Sequence, residues 1–243
     1  MEYHRTRHTG KIDHGSVGTS YKSVVFDDAP IGYWPLDEAV GSTFTDQSGN
    51  ARNGVYSGSL AYAQASMSPN IPETCINFSG GMGYIGSASW MNTQYISVEF
   101  ICEPSGSGNR TIASRDNSST YNNRDWVMLL DSSNAMQWVV YTNAATGGSG
   151  GDPPAAYSAS ATGMHHWVGT YDGSQTRLYK DGVLVGSASP PGSSVNTYAN
   201  PFRVGRLGGD YLPFAGKIQG FALYDHPLSA GRILTHAQAA GFA

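Results

Sequence analysis

The chain has 243 residues, enough for one large domain with a full core and too few for two domains of comparable size. Its 31 glycines, 12% aromatic content and only 13% charged residues favour many strands joined by tight turns, and disfavour long helices and disorder. A formal net charge of -4 gives no basic field, so nucleic acid is not an expected partner. Apolar runs are only a few residues long, so membrane insertion is not expected.

Residues 1–20 are polar and lack apolar periodicity, which predicts an extended arm ahead of a single domain spanning residues 21–243. The basic residues Arg5, Arg7 and Lys11 are the expected anchoring groups of this arm; the alternative is a flexible tail. The segment has no apolar centre of the kind found in secretory signals, so export by the general route is not expected.

Strands are predicted from Tyr33 onward. An apolar segment and Pro30 precede the first strand, in which Tyr33, Trp34 and Leu36 are large apolar anchors. Further short alternating or apolar runs follow, each bounded by turn residues: CINFSGGMGYIG, ISVEFICEP, RTIASRD, WVMLLD and MQWVVYT. The tryptophans within strand patterns are predicted to lie in the core: Trp34, Trp126, Trp138 and Trp167.

The two cysteines lie in two of these strands. Cys75 and Cys102 either form one disulfide or remain free thiols. Strand alternation puts Cys102 on the face of Phe100 and puts Cys75 on the face opposite Ile76. Cys75 is therefore expected to point outward and Cys102 inward.

The last third of the chain contains the clearest local signals. Residues 143–163 are dense in Gly, Ser, Pro and Ala and predict a long loop within the domain. Two alternating strands then flank Lys180-Asp181-Gly182, which predicts a tight hairpin turn. At the end, Ser229 is the predicted N-cap of a short helix through Ala239, with Leu228, Ile233 and Ala237 facing the domain.

Several motifs of the chain resemble those of the laminin-G-like, concanavalin A-like jelly-roll family. They are WVGTYDG, LYKDG, VGRL and FAGKIQGFALYDHPLS, and the opening YKSVVFDDAPIGYWPLDEAVGSTFTDQSGN is similar to that of many bacterial and bacteriophage members. The resemblance covers residues 21–242. It implies an all-β fold: an antiparallel β-sandwich with a short C-terminal helix behind the N-terminal arm.

Enzymatic activity is not expected, and no catalytic residue is assigned. Glucanases that share the jelly roll need two carboxylates roughly 5 Å apart, and the Glu-x-Asp-x-x-Glu pattern is missing from this sequence. Asp37 and Glu38 point to opposite faces of an extended chain, and Glu99 stands alone in its strand. His165 and His166 have no carboxylate or cysteine at metal-ligand spacing, so zinc is not expected.

Calcium is the one cofactor that the resemblance implies, because such sandwiches often hold an ion between the penultimate strand and the first loop. The matching positions are Asp46, Asn50 and Gln219. Gln219 replaces the usual aspartate, and a neutral amide attracts a divalent cation much less strongly. The alternative is that Asp46 and Asn50 set an Asx-type turn, so the expectation is no cofactor, or calcium.

A carbohydrate site needs an exposed aromatic platform beside polar groups that bind hydroxyls. In this fold such platforms are expected in loops, where function is grafted onto the scaffold. The alternative for each candidate is a purely structural role. The candidates are Trp90, Tyr121, Asn123, Arg124, Asp210 and Tyr211.

The first functional hypothesis is a non-enzymatic bacteriophage virion protein, a minor tail or surface-displayed protein that is multimeric in the particle. Its sandwich binds host-surface glycan or protein, many copies compensate for weak affinity, and the arm attaches it to other virion proteins. One alternative is a capsid or tail decoration protein that only stabilises the particle. Another is a secreted bacterial carbohydrate-binding module, which is extracellular. The third alternative is a glycan-processing enzyme. Hydrolytic turnover that is lost when Glu38 or Glu99 is changed would support it.

Overall fold

The computed structural model describes residues 20–117, 123–144, 154–158 and 160–243. Within these residues the chain forms two α-helices, α1 (Tyr21–Asp27) and α2 (Ala230–Ala239), and sixteen strands. The strands are β1 (Gly32–Trp34), β2 (Thr43–Phe44), β3 (Gly54–Ser57), β4 (Leu60–Gln64), β5 (Cys75–Ser79), β6 (Met82–Ile85), β7 (Ile96–Pro104), β8 (Arg110–Asp116), β9 (Arg124–Leu130), β10 (Met136–Val140), β11 (Ala156–Tyr157), β12 (His165–Tyr171), β13 (Thr176–Lys180), β14 (Val183–Ala188), β15 (Phe202–Val204) and β16 (Ala215–Tyr224).

The strands form two antiparallel sheets that pack face to face. Sheet A has the order β14-β13-β12-β7-β16-β5-β4, with β1 also paired to β16, and sheet B has the order β11-β10-β9-β8-β15-β6-β3-β2. The predicted all-β sandwich is therefore confirmed, as is the short C-terminal helix. Neither helix in the described part of the chain is long and apolar enough to cross a membrane.

The main core lies between the two sheets and is rich in aromatic rings. Phe100 of β7 and Phe221 of β16 stack with their centroids 5.6 Å apart. The four tryptophans predicted to lie in the core are at most 1% exposed, which confirms that prediction: Trp34, Trp126, Trp138 and Trp167.

A second apolar layer covers the outer face of sheet A, where α1 and α2 pack. In α1 the buried residues Tyr21, Val24 and Val25 follow helical spacing. The sequence did not predict this helix, because the segment before Pro30 was described only as apolar and no secondary structure was assigned to it. In α2 Ser229 accepts a hydrogen bond from Arg232 N at 3.3 Å, as the predicted N-cap requires.

This second layer corrects the prediction for the cysteines. The two thiols do lie on opposite faces of sheet A: Cys102 belongs to the core between the sheets, and Cys75 to the layer under the helices. Both are free and fully buried. Cys75 points away from the core between the sheets, but the prediction that it points outward from the protein is wrong. Helices α1 and α2 and the loop containing Met67 and Ile71 cover that face of sheet A.

Two local predictions in the last third have clear outcomes. A two-residue turn, Asp181-Gly182, joins β13 to β14 with φ values of 51° and 79°, which is the tight hairpin that the Asp-Gly pair predicts. The segment 143–163 was predicted to be one loop, but it contains the short strand β11, whose Ala156 pairs with Trp138 of β10.

Candidate functional site

A polar groove lies where three connections meet at one end of the sandwich: the segment before β7, the segment after β10 and the segment between β14 and β15. Its volume is about 580 Å³, within the roughly 300–1,000 Å³ that is typical of small-molecule sites. The ten lining residues are Asn92, Thr93, Gln94, Asn143, Ser193, Ser194, Val195, Asn196, Thr197 and Tyr198.

Backbone hydrogen bonds connect the three segments that form the groove. The Val195 N–H donates to the Gln94 carbonyl at 3.1 Å, and the Asn143 N–H donates to the Ser194 carbonyl at 3.1 Å. The segment 193–196 is thereby fixed between the segment that contains Gln94 and the segment that contains Asn143. Gly192, at φ 101°, is needed just before it, since an added Cβ would lie 2.6 Å from Asn143 Oδ1.

Three asparagine side chains of the groove are each anchored at one end. Asn92 Oδ1 accepts from Arg115 Nη2 at 2.6 Å, and Asn143 Oδ1 accepts from Ser193 N at 3.1 Å. Asn196 Nδ2 donates to the Arg124 carbonyl at 3.0 Å. Among the described residues, the opposite ends of these amides have no hydrogen-bond partner, so two NH₂ groups and one carbonyl oxygen remain able to bind a ligand.

Tyr198 supplies the aromatic ring of the groove and is 41% exposed. Its backbone is fixed on both sides: the N–H donates to Asp125 Oδ1 at 3.0 Å, and the carbonyl accepts from Arg115 Nη2 at 2.9 Å. An aromatic face next to fixed amides is the combination that binds the apolar face and the hydroxyls of a sugar ring.

A buried ion pair supports two of the three segments that form the groove. Arg115 Nε lies 3.3 Å from Asp125 Oδ2, and the two side chains are 2% and 0% exposed. Arg115 also donates to the Met91 carbonyl, and Asp125 accepts from Asn200 Nδ2 at 3.1 Å. Burial raises the pKa of Asp125 to about 7, although the Arg115 guanidinium and the N–H donors oppose that shift. The pair therefore links the segment at Met91 to the segment at Asn200.

Trp90, the first residue predicted to form a sugar platform, does not line this groove. It lies in a 3-10 turn, Ser89–Met91, and packs against the main core. The Arg52 guanidinium lies 4.2 Å from the centroid of its ring, so a cation–π contact covers one face.

The second predicted cluster lies beside the groove. Asn123 is exposed, and its carbonyl accepts from Asn200 Nδ2 at 2.7 Å. Arg124 is buried in an ion pair with Asp116, with Nε 3.0 Å from Oδ2. Its side chain is therefore held inside the protein, and its carbonyl accepts a hydrogen bond from a lining residue, Asn196. Tyr121 lies outside the described residues.

Asp210 and Tyr211 are both exposed and lie in the connection between β15 and β16. Tyr211 is 54% exposed, and the Asp210 carbonyl accepts from Arg206 Nη1 at 3.1 Å. Neither residue lines the groove.

The residues predicted for calcium do not form one donor set. Asp46 accepts four hydrogen bonds, among them those from Tyr33 N at 3.0 Å and Arg52 N at 2.9 Å. Gln219 is buried elsewhere, with Oε1 accepting from Met67 N at 3.0 Å. Asn50 Nδ2 donates to Ser48 Oγ at 3.0 Å. These contacts fit the Asx-type turn, and calcium binding stays a prediction.

Residues 1–19, including Arg5, Arg7 and Lys11, lie outside the described residues, so the anchoring arm also stays a prediction.

A buried cluster under the helices was not predicted from the sequence, and the description of Glu99 as alone in its strand is corrected. Glu103 shares β7 with Glu99, and two histidines contact the Glu99 carboxylate. Glu99 Oε1 lies 2.8 Å from His166 Nε2, and His236 Nδ1 lies 3.0 Å from both carboxylate oxygens. His165 Nδ1 lies 2.7 Å from Asp181 Oδ2. The remaining members of the Glu99 cluster are Tyr21 and Tyr224, whose hydroxyls donate to Glu99, and Asp28, which contacts His236.

The Glu99 cluster is a structural link between sheet A and the two helices. Glu99, His166 and His236 are 0% exposed, so no substrate reaches them in this conformation. Burial alone would raise the pKa of Glu99, but His236 and His166 outweigh it and lower the pKa overall. Burial lowers the pKa of His236, but Glu99 and Asp28 outweigh it, and the pKa is raised. Both shifts favour an ionised pair.

A family model described as the concanavalin A-like lectin/glucanases superfamily, of the Laminin_G_3 type, matches residues 79–234. The match runs from the end of β5 into α2 and covers more than half of the chain. The chain belongs to this superfamily. No protein with a curated description matches this laminin-G-like chain by sequence.

Solved structures confirm the laminin-G-like fold. Domain 4 of AbnA, an extracellular GH43 arabinanase from Geobacillus stearothermophilus in complex with arabinotriose, is similar with a TM-score of 0.61 and 17% identity, over 85% of this chain and 97% of that one. The binding domain of botulinum neurotoxin DC in complex with SialylT gives a TM-score of 0.62 and 13% identity, over 88% and 52%. Trypanosoma rangeli sialidase in complex with the inhibitor DANA gives a TM-score of 0.57 and 17% identity, over 86% of this chain and 32% of the sialidase. The chain thus spans about half of the toxin domain and a third of the sialidase.

The groove residues of this laminin-G-like domain were not predicted from the sequence. Asn92, Asn143, Asn196 and Tyr198 come from three separate connections, and none lies in a family motif. The one available signal is the polar stretch SSVNTYAN at residues 193–200, which contains a tyrosine between amide and hydroxyl side chains.

Proposed function

We propose that the chain is a non-enzymatic, glycan-binding domain and that its ligand occupies the polar groove. The observation that carries this proposal is the set of three amides, Asn92, Asn143 and Asn196, each anchored at one end and unpartnered at the other among the described residues, beside the exposed ring of Tyr198. Sugar hydroxyls both donate and accept hydrogen bonds, so they satisfy a mixed set of this kind.

The comparisons support this proposal by what their names report. Domain 4 of AbnA, 97% of which this chain spans, was solved with arabinotriose, and the neurotoxin binding domain, 52% of which it spans, was solved with SialylT. Site geometry rather than fold decides function, and it is the groove that carries the proposal for this chain.

Binding without turnover is proposed because the described groove lining has no carboxylate for acid–base chemistry. Glu99, whose pKa is lowered by two histidines, is fully buried on the other face of sheet A. Glu38 accepts from Thr45 N at 2.9 Å and from the Tyr56 hydroxyl at 2.8 Å, away from the groove.

We propose further that the domain belongs to a bacteriophage virion protein of the tail or particle surface, attached through residues 1–20. The support is the opening motif, which resembles that of bacteriophage members of the family. Many copies on one particle would raise a weak single-site affinity to effective attachment. A decoration protein that only stabilises the particle is the competing role, and it predicts no glycan binding.

The test is glycan-array binding followed by titration of the best oligosaccharide, with and without calcium. Tyr198→Ala is expected to lower affinity at least about tenfold, which corresponds to about 1.4 kcal/mol, because the ring that packs against the sugar is removed. Tyr211→Ala is the matched control, since Tyr211 is exposed but outside the groove. An array without any bound glycan, or equal losses in the two variants, would contradict the proposal.

A further inference from the structure

The described lining of the groove is entirely uncharged. Its ten residues carry amide, hydroxyl, phenol and aliphatic side chains, and none carries a carboxylate, ammonium, guanidinium or imidazole group. Four amides, those of Asn92, Gln94, Asn143 and Asn196, and five hydroxyl groups supply its side-chain hydrogen-bonding capacity.

The charged side chains that hydrogen-bond to this lining are buried and already paired. Among the described residues, Arg115 and Asp125 are the charged side chains that hydrogen-bond to groove residues, and they form an ion pair with each other. The Arg115 guanidinium also bonds to three backbone carbonyls, those of Met91, Tyr198 and Asn200. Its donors are directed into the protein, so Arg115 presents no cation to a ligand.

An anionic sugar would therefore bind at a disadvantage. Recognition of a carboxylate, sulfate or phosphate normally uses an arginine or lysine that forms a charge-assisted hydrogen bond. Without such a partner, an anion that enters the groove loses hydration and gains only neutral hydrogen bonds. The net charge of -4 adds a weak long-range repulsion.

Resting on the proposed glycan-binding function, we infer that the groove selects neutral glycans, built from hexoses, pentoses or N-acetylated hexosamines without carboxylate, sulfate or phosphate groups. The neurotoxin binding domain that shares the fold was solved with SialylT, so the inference assigns this chain a different ligand class from that relative. The affinity for a neutral glycan depends on hydrogen bonds and packing, and salt screens neither of them.

The test compares pairs of oligosaccharides that differ by one acidic group, such as a glucose oligomer against the same oligomer ending in glucuronic acid. The neutral member is expected to bind at least about tenfold more tightly. Its affinity is expected to change less than about twofold between roughly 0.05 M and 0.5 M NaCl. Thr197→Lys introduces a cation into the groove and is expected to reduce the ratio of neutral-glycan affinity to acidic-glycan affinity. Ser107→Lys, on an exposed loop away from the groove, is the control and is expected to leave this ratio unchanged.

The outcomes separate the two proposals. Tighter binding of acidic glycans, with strong salt dependence and loss in Tyr198→Ala, would overturn neutral selectivity and leave the glycan-binding groove in place. Glycan binding that Tyr198→Ala leaves unchanged would overturn the groove and, with it, this inference. Binding of no glycan at all would overturn both.

Discussion

Replacing Glu99 with Gln is expected to lower the free energy of unfolding by about 3–5 kcal/mol, the cost of breaking a buried ion pair by removing one partner. Glu99 accepts hydrogen bonds from Tyr21, Tyr224, His166 and His236, and all five residues are at most 1% exposed. A glutamine would present an NH₂ group to some of these donors and remove the charge that holds His236 protonated. The measurement is denaturant unfolding.

Glu103→Gln is the matched control, because Glu103 lies on the same strand but is 42% exposed in its pair with Lys217. An exposed pair of this kind contributes about 0–1 kcal/mol. Equal effects of the two substitutions would contradict the structural role of the Glu99 cluster.

The Glu99 cluster also predicts the sign of the pH dependence of stability. The pKa of Glu99 is lowered from 4.5, so its contribution is present above pH 4.5 and is lost as pH falls through the lowered value. The pKa of His236 is raised from 6.5, so its contribution is present below pH 6.5 and is lost as pH rises through the raised value. The cluster therefore contributes most between pH 4.5 and 6.5. In Glu99→Gln, the decline in stability above this window should be much smaller than in the wild type.

Replacing Arg115 with Met is expected to remove both stability and glycan binding. Burial already raises the pKa of Asp125 to about 7, and without Arg115 its carboxyl group would take up a proton. Breaking a buried pair by removing one partner costs up to about 3–5 kcal/mol of unfolding free energy. Met91, Asn92 and Tyr198 would lose the guanidinium that fixes them. Because these contacts join the segment before β7 to the segment between β14 and β15, affinity should fall even where the variant is still folded.

The double variant Arg115→Met/Asp125→Asn separates the two effects. It leaves no unpaired buried charge, and the side-chain carbonyl of the introduced amide remains an acceptor for the Tyr198 N–H, so most of the stability is expected to return. Glycan affinity should remain low, because Asn92 and the Tyr198 carbonyl still lack their donor. Titration and denaturant unfolding of the same sample give both values. Wild-type affinity in the double variant would show that Arg115 does not position the groove.

The sequence predicted those parts of the fold that depend on local patterns. Alternation in β7 separates Val98 and Phe100 from Glu99 and Ile101, and the Asp181-Gly182 turn and the Ser229 cap are local signals. Helix α1 was missed because its short run YKSVVF, with two adjacent valines, carries little helical signal and is stabilised by packing on sheet A.

The candidate site was less predictable, because its residues meet only in three dimensions. Glu99 is 67 residues from His166 and 137 from His236, so no spacing in the sequence relates them. The groove likewise joins segments near residues 92, 143 and 196. Loop aromatics such as Trp90 and Tyr211 are visible in the sequence, but whether a ring faces a ligand or a neighbouring guanidinium depends on tertiary contacts.

The central claim is that the polar groove holds a glycan, and a crystal structure of the domain with the best array ligand tests it most directly. The expected result is a sugar ring packed against Tyr198, with hydroxyls within hydrogen-bond distance of Asn143 Nδ2 and Asn196 Oδ1. A ligand bound at Trp90, at Tyr211 or at the Asp46 turn, with no sugar in the groove, would contradict the claim.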